Sequence, residues 1–236
     1  MVIAILVINI LIFLGSGTPI DEAGRTVRDW GFLFGPAVIS GDWWRLVSSG
    51  FLHSTTMHIG FNSYVLWILG KQLEPLVGSL RFSLIYLAGL LGGSAAVMLF
   101  GFEQSTVGAS GAVLGLAGAM MAILKNRGVG FFQTSMGRLV LVNLALPLLI
   151  PRISFWGHAG GVAGGYLVVY LMTKLGKADL SDRRAWSSHT VSAGDHTGGI
   201  VKAGNTRVVV AVGVSVIVAL AAIAIFVPTL LGYSPG

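Results

Sequence analysis

The chain has no cysteine, and Asp and Glu together supply only nine of its 236 residues. The first absence excludes disulfides and thiol chemistry and leaves the redox compartment open. The second matters because of where the nine fall: none lies inside a long apolar run. An aspartyl mechanism within a bilayer therefore has no carboxylates, and without an H-E-x-x-H stretch the matching zinc chemistry is absent too. Charge as a whole is scarce, at 10% of residues against about 25% in soluble domains. With a mean hydropathy of +0.83, the composition is that of an integral membrane protein. A net charge of +6 invites a nucleic-acid reading, but the basic residues are scattered thinly between apolar runs. Membrane topology accounts for them, and no nucleic-acid partner is expected.

What is present is a series of apolar runs near the length of about 20 residues that a bilayer requires. They fall at 2–14, 57–73, 82–102, 107–124, 139–150, 155–172 and 208–231, which predicts an all-α polytopic protein. The first and fifth are short. The first begins at Met1 with no basic stretch and no A-x-A site, so it reads as a span rather than a cleaved signal. With the N-terminus cytoplasmic, eleven of the fifteen Lys and Arg lie inside and only Arg25, Arg28, Arg45 and Arg152 outside. That bias sets the orientation.

The domain reading follows. Residues 1–173 form a six-helix core with a long outer first loop at 15–55, and 174–206 are a polar Gly/Ser/Asp-rich cytoplasmic linker. Residues 207–236 add a seventh helix, which lacks chemistry-bearing side chains and reads as an appended span. The first loop carries Trp30, Phe32, Phe34, Trp43 and Trp44 among mixed charges, which suits the headgroup region. His189 and His196 in the linker read as solvated, and Pro147 and Pro151 mark the fifth run for bending.

Chemistry concentrates in three runs. The stretch 105–121 is STVGASGAVLGLAGAMM, with Ser110 between Gly108 and Gly111 and further glycines at 115 and 118. The second run opens HSTTMHIGFN, which puts His58 and Asn62 on one helical face with His53 just ahead. The sixth carries FWGHAGGVAGGY, where His158 sits among glycines at 157, 161 and 165. Small-residue stripes allow close helix approach in lipid. All three runs enter from the outside, and a rise of about 1.5 Å per residue puts Ser110 and His158 each roughly 6 Å down. His58 and Asn62 fall at roughly 3 Å and 9 Å on the same scale. Polar groups at one depth on three helices predict a shared cavity. A serine with a histidine can act as nucleophile and base without a third member, and donors near Ser110 can meet an oxyanion. His53 and His58 lack a third ligand, so no metal is expected, and no cofactor.

GASG at 108–111, His53, His58 and Asn62 in HSTTMHIGFN, Trp44–Arg45, and GHAGG at 157–161 together resemble the rhomboid intramembrane serine proteases. The resemblance covers about residues 40–173, with the seventh helix matching family forms that add a span to a six-helix core. It implies Ser110 as nucleophile, His158 as its base, and Asn62 and His58 as oxyanion donors beside the backbone N–H of Ser110. Gly108 and Gly111 would let substrate approach, Trp156 would lie near lateral substrate entry, and Trp44–Arg45 would be structural. One departure stands out: where some members stack an aromatic on the histidine, four residues after the serine, this chain has Leu114. The implied activity is endopeptidase cleavage of a single-span membrane protein near the outer leaflet. A bacterial plasma membrane is the expected location, with membrane lipid as surroundings and the oligomeric state open. The alternative is an inactive relative that binds or escorts membrane clients. Regulation by a soluble domain ahead of the first helix is not expected.

Overall fold

The computed structural model describes residues 1–17, 24–130, 133–150, 153–176 and 206–233. In chain order the helices are α1 (Val2–Gly15), α2 (Val27–Gly31), α3 (Gly35–Ile39), α4 (Arg45–Ser48), α5 (Thr56–Val77) and α6 (Ser79–Phe100). They continue with α7 (Ser110–Asn126), α8 (Ser135–Leu149), α9 (Phe155–Gly176) and α10 (Thr206–Leu230). Among the described residues the fold is all-helical, apart from one isolated bridge between Leu33 and Thr106.

Glycine decides which helices sit in the middle. A Cβ on Gly89 of α6 would stand 2.7 Å from the Cα of Gly115 in α7, and one on Gly93 would stand 2.7 Å from the Gly157 carbonyl of α9. On the α9 side, Cβ atoms at Gly161 and Gly165 would run into the carbonyls of Gly111 and Gly115, and one at Gly118 into that of Val162. Backbone meets backbone on all three faces of the α6–α7–α9 triangle. This is the small-residue packing that the glycine stripes predict, and it fixes the N-terminal ends of α7 and α9 side by side.

The remaining helices lean on this triangle. Val2 of α1 covers Gly70 of α5, and Gly213 of α10 receives Met172 and Leu84 from α9 and α6. Beyond the end of α10, Tyr233 stacks on Phe102 with ring centres 4.0 Å apart. The seventh long helix is therefore docked against the core. Helix α8 is the exception: it touches α7 and α9 sparingly, and Leu148 and Leu149 are each 78% exposed.

Among the described residues, two helices, Ser79–Phe100 and Thr206–Leu230, are long and apolar enough to cross a membrane. The element boundaries differ from the apolar runs for local reasons. Helix α7 begins at Ser110 and not at 107, because Gly108 has φ +129° and cannot be helical. Helices α5 and α8 each continue two residues past a proline, at 75 and 147, and α8 starts four residues earlier than its apolar run. Thr134 explains the early start, its hydroxyl accepting from the Gly137 N–H as a cap.

The long first loop is more regular than its composition predicts. It holds α2, α3, α4 and a 3₁₀ turn at Ser49–Phe51, with α2 opened by a capping box between Thr26 and Asp29. Arg45 is buried, bonding Asp42 Oδ2 at 2.9 Å and the carbonyls of Asp29 and Phe32. It ties the loop together, and the Trp44 indole donates to the Trp30 carbonyl beside it. The Ser94 hydroxyl of α6 in turn holds the Leu46 carbonyl at 2.7 Å. Of the linker expected at 174–206, residues 177–205 lie outside the described residues, as do His189 and His196.

Candidate active site

Ser110 is the first residue of α7, half-buried, one turn nearer the helix end than the apolar run implies. The turn before it is pinned from two sides. Gly108 N–H donates to the Ser49 carbonyl at 2.9 Å, and the Ala109 N–H points at His53 Nε2 over a longer 3.5 Å. Gly108 is required twice over, by its φ of +129° and because a Cβ would lie 2.7 Å from Cε1 and Nε2 of His58. The glycine thus lets the His58 ring lie directly over the turn that leads into Ser110.

His158 is the fourth residue of α9. Ser154 starts that helix, its hydroxyl accepting from the Gly157 N–H at 3.1 Å. The glycine contact between α7 and α9 then brings His158 Nε2 to 3.0 Å from Ser110 Oγ. On the other side of the ring, Nδ1 lies 3.0 Å from the backbone carbonyl of Asn143 in α8. A carbonyl can only accept, so Nδ1 carries the proton of the neutral ring and Nε2 is left as the acceptor facing the serine hydroxyl. His158 is itself buried.

The α5 residues assemble on the opposite side. Thr55 caps the helix by accepting from the His58 N–H, and His58 Nδ1 lies 3.2 Å from Ser54 Oγ. The rings of His53 and His58 meet edge to face, 5.1 Å between centres. His53 is fully buried, and burial pushes its pKa down to about 4, with His58 adding to the shift and the Phe51 backbone opposing it. A neutral His53 with Nε2 free of a proton suits its contact with the Ala109 N–H. The Asn62 amide donates to the His58 carbonyl of its own helix at 3.0 Å, which braces the turn carrying His58.

Ser110, His158, His58, His53, Gly108 and Gly111 therefore belong to one neighbourhood built from α5, α7 and α9. Trp156 sits on its α6 side, tilted against Phe100 with centres 4.6 Å apart and meeting Phe155 edge to face at 5.3 Å. Leu114, at the position where some family members carry an aromatic, is buried in the apolar core. Three members of the neighbourhood escape sequence reasoning: the carbonyls of Ser49 and Asn143, which have no side-chain signature, and Ser54, one polar residue among several in its loop.

Residues 40–175 match the family model for the Rhomboid domain. The rhomboid protease GluP of Bacillus subtilis (strain 168) is 37% identical over 134 residues, 55% of this chain and 26% of that protein. Two Arabidopsis thaliana proteins are similar as well. RHOMBOID-like protein 4 is 35% identical over 161 residues, 65% of this chain and 40% of its own length. RHOMBOID-like protein 2 is 37% identical over 136 residues, 55% of this chain and 42% of its own. The chain thus spans between about a quarter and two fifths of these relatives. With a domain match over more than half its length, the chain belongs to the rhomboid family.

Proposed function

We propose that the chain is an intramembrane serine endopeptidase that cleaves a transmembrane segment near the outer leaflet, with Ser110 as nucleophile and His158 as general base. The observation that carries the reading is the 3.0 Å contact of His158 Nε2 with Ser110 Oγ, made by a ring whose Nδ1 is already committed to a carbonyl. In the first step Oγ attacks the scissile carbonyl carbon while its proton passes to Nε2. The oxyanion that forms faces the N–H of Ser110, at the N-terminal end of α7 where backbone donors lack helical acceptors. His58 adds a donor at Nε2 when the Ser54 hydroxyl donates to its Nδ1. Asn62 adds the second N–H of its amide, the first being held by the His58 carbonyl. Collapse breaks the peptide C–N bond as His158 returns the proton to the amine. Water then hydrolyses the acyl-serine by the same route.

In this reading α1, α5, α6, α7, α8, α9 and α10 cross the bilayer, the N-terminus is cytoplasmic and the site opens outward. The substrate is a single-span membrane protein whose helix unwinds near the outer face, and the membrane is a bacterial plasma membrane. The glycines around Ser110 favour a small residue at the cleaved bond. No cofactor or metal takes part.

The test is labelling by a fluorophosphonate in lipid, followed by cleavage of a transmembrane peptide. Wild type should label and cleave, and Ser110→Ala and His158→Ala should each do neither while remaining folded. Labelling that persists in Ser110→Ala, or a folded wild type that neither labels nor cleaves, would remove the protease reading. The second of those results would favour an inactive relative that holds membrane clients.

A further inference from the structure

Pro147 lies inside α8, two residues before its end. In an α-helix the N–H of each residue donates to the carbonyl four positions earlier. Proline has no N–H, and its ring crowds that same carbonyl. Four positions before Pro147 is Asn143, and the Asn143 carbonyl is the acceptor that takes the His158 Nδ1–H at 3.0 Å. We propose that Pro147 is a positioning residue for the site. By withholding the helix's own donor, it directs the Asn143 carbonyl to α9, where it fixes His158 as the Nδ1–H tautomer with Nε2 toward Ser110.

Three features of the structure bear on this. The helix does not stop at the proline; it runs on to Leu149, and the Ile150 N–H donates to the Leu146 carbonyl at 2.8 Å. The missing donor is therefore a local property of α8 rather than the sign of a helix end. Next, Asn143 and His158 are both buried, so water is a poor substitute for this contact on either side. Finally, Leu114 offers no aromatic face against which an imidazole could stack. With α8 otherwise lightly packed, the Nδ1 contact is the specific restraint on the ring from that side. An alanine at 147 would supply an N–H four residues after Asn143 and compete for its carbonyl. The imidazole would then be free to place its proton on Nε2, the form that cannot accept from Ser110.

This rests on the Ser110–His158 reading, and the experiment separates the two. The full chain, labelled with ¹⁵N-histidine, is reconstituted in lipid nanodiscs, and the five histidines are assigned with His158→Gln as reference. In wild type, neutral His158 should be protonated at Nδ1 alone. Pro147→Ala should give a mixture of tautomers and a kcat lower by ~10–100-fold, part of the roughly 10²–10⁴-fold that a positioned general base contributes, with KM within about twofold. Leu146→Pro/Pro147→Ala keeps a proline in α8 but moves the missing N–H so that it faces Val142, and should behave like Pro147→Ala. Alanine is the better helix former, so neither α8 nor the fold is expected to suffer from Pro147→Ala. An Nε2–H tautomer in wild type would overturn the inference without any variant. So would a Pro147→Ala protein with wild-type tautomer and kcat, or a double variant that regains both. If wild type shows no Ser110-dependent labelling, the protease reading falls, while the tautomer measurement still decides the role of Pro147.

Discussion

In the α6–α7–α9 triangle a single added methyl group has nowhere to go, whereas on α8 two successive leucines are each 78% exposed. The candidate site draws on both kinds of structure. Ser110 and His158 stand on helices whose backbones touch, so their separation is set by contacts between main-chain atoms that cannot relax. The acceptor at His158 Nδ1 comes from α8, whose own packing is slight. Distance is thus set where the packing is hard, and ring orientation by one hydrogen bond from the looser side. Packing in lipid makes this division reasonable: without a hydrophobic drive between helices, close backbone contact is what holds them.

The largest effect should come from breaking the hard side. Gly165→Leu drives its side chain into the Gly115 carbonyl, with a helix on each side to prevent relief. Overpacking of this kind costs roughly 3 kcal/mol or more where nothing can shift. The variant should lose its folded state, or nearly so, in SDS titration followed by circular dichroism. A midpoint close to wild type would mean that the triangle yields, and the contrast with α8 would lose its basis.

Gly108→Ala comes next, and it should separate activity from fold. Residue 108 lies outside the triangle, yet alanine there meets an adverse φ of +129° and the His58 ring at 2.7 Å. A strained φ costs on the order of 1–3 kcal/mol. The turn into Ser110 must move or His58 must swing aside, and either disturbs the donors near the serine. A fall in kcat of ~10²-fold or more is expected, the cost of losing an oxyanion donor, with a smaller loss in unfolding midpoint. Wild-type turnover would show that the turn is not part of the machinery.

How much of this was legible in the sequence follows from the same division. The α7–α9 face of the triangle was legible, because glycines spaced by a helical turn at 111, 115, 118, 157, 161 and 165 can be read directly as a packing face; the share of α6, through Gly89 and Gly93, was not. The meeting of Ser110 with His158 was legible too, from equal depth and family resemblance. The start of α7 was not, since Gly108 is as apolar as its neighbours and only its φ excludes it from the helix. In the first loop a structural part for Trp44–Arg45 came from the resemblance alone. The bonds behind it, from buried Arg45 to Asp42 and two carbonyls, form only once the chain folds back. The Asn143 carbonyl left no mark of its own, though a proline four residues later was in plain view. Helix α10 read as an appendage because its side chains lack chemistry, and Gly213, which receives Met172 and Leu84, resembles any other glycine in an apolar run.

His53 tests the edge between the hard side and the site through pH. Folded, it stays neutral down to about 4, while an unfolded imidazole takes its proton near 6.5. The stability that neutral His53 contributes is complete above that higher value and is lost as pH falls from about 6.5 towards 4. The unfolding midpoint of wild type should therefore drop over this window more steeply than that of His53→Gln, with the two curves parallel at higher pH. Parallel curves throughout would mean that His53 is not held neutral beside Ala109.

The smallest effect belongs to α8. Leu149→Ala removes three carbons from a side chain that is mostly outside the protein's own packing. In lipid those carbons keep apolar neighbours whether or not the helix is docked, so the usual cost of emptying a core site does not arise. The unfolding midpoint should shift by no more than the ~0.5 kcal/mol typical of surface substitutions, and His158 should keep its tautomer, because the backbone at Asn143 is untouched. A loss as large as that of Gly165→Leu would place α8 among the tightly packed helices. The hydrogen bond from His158 would then be one restraint among many on that side, and Pro147 would have correspondingly little left to decide.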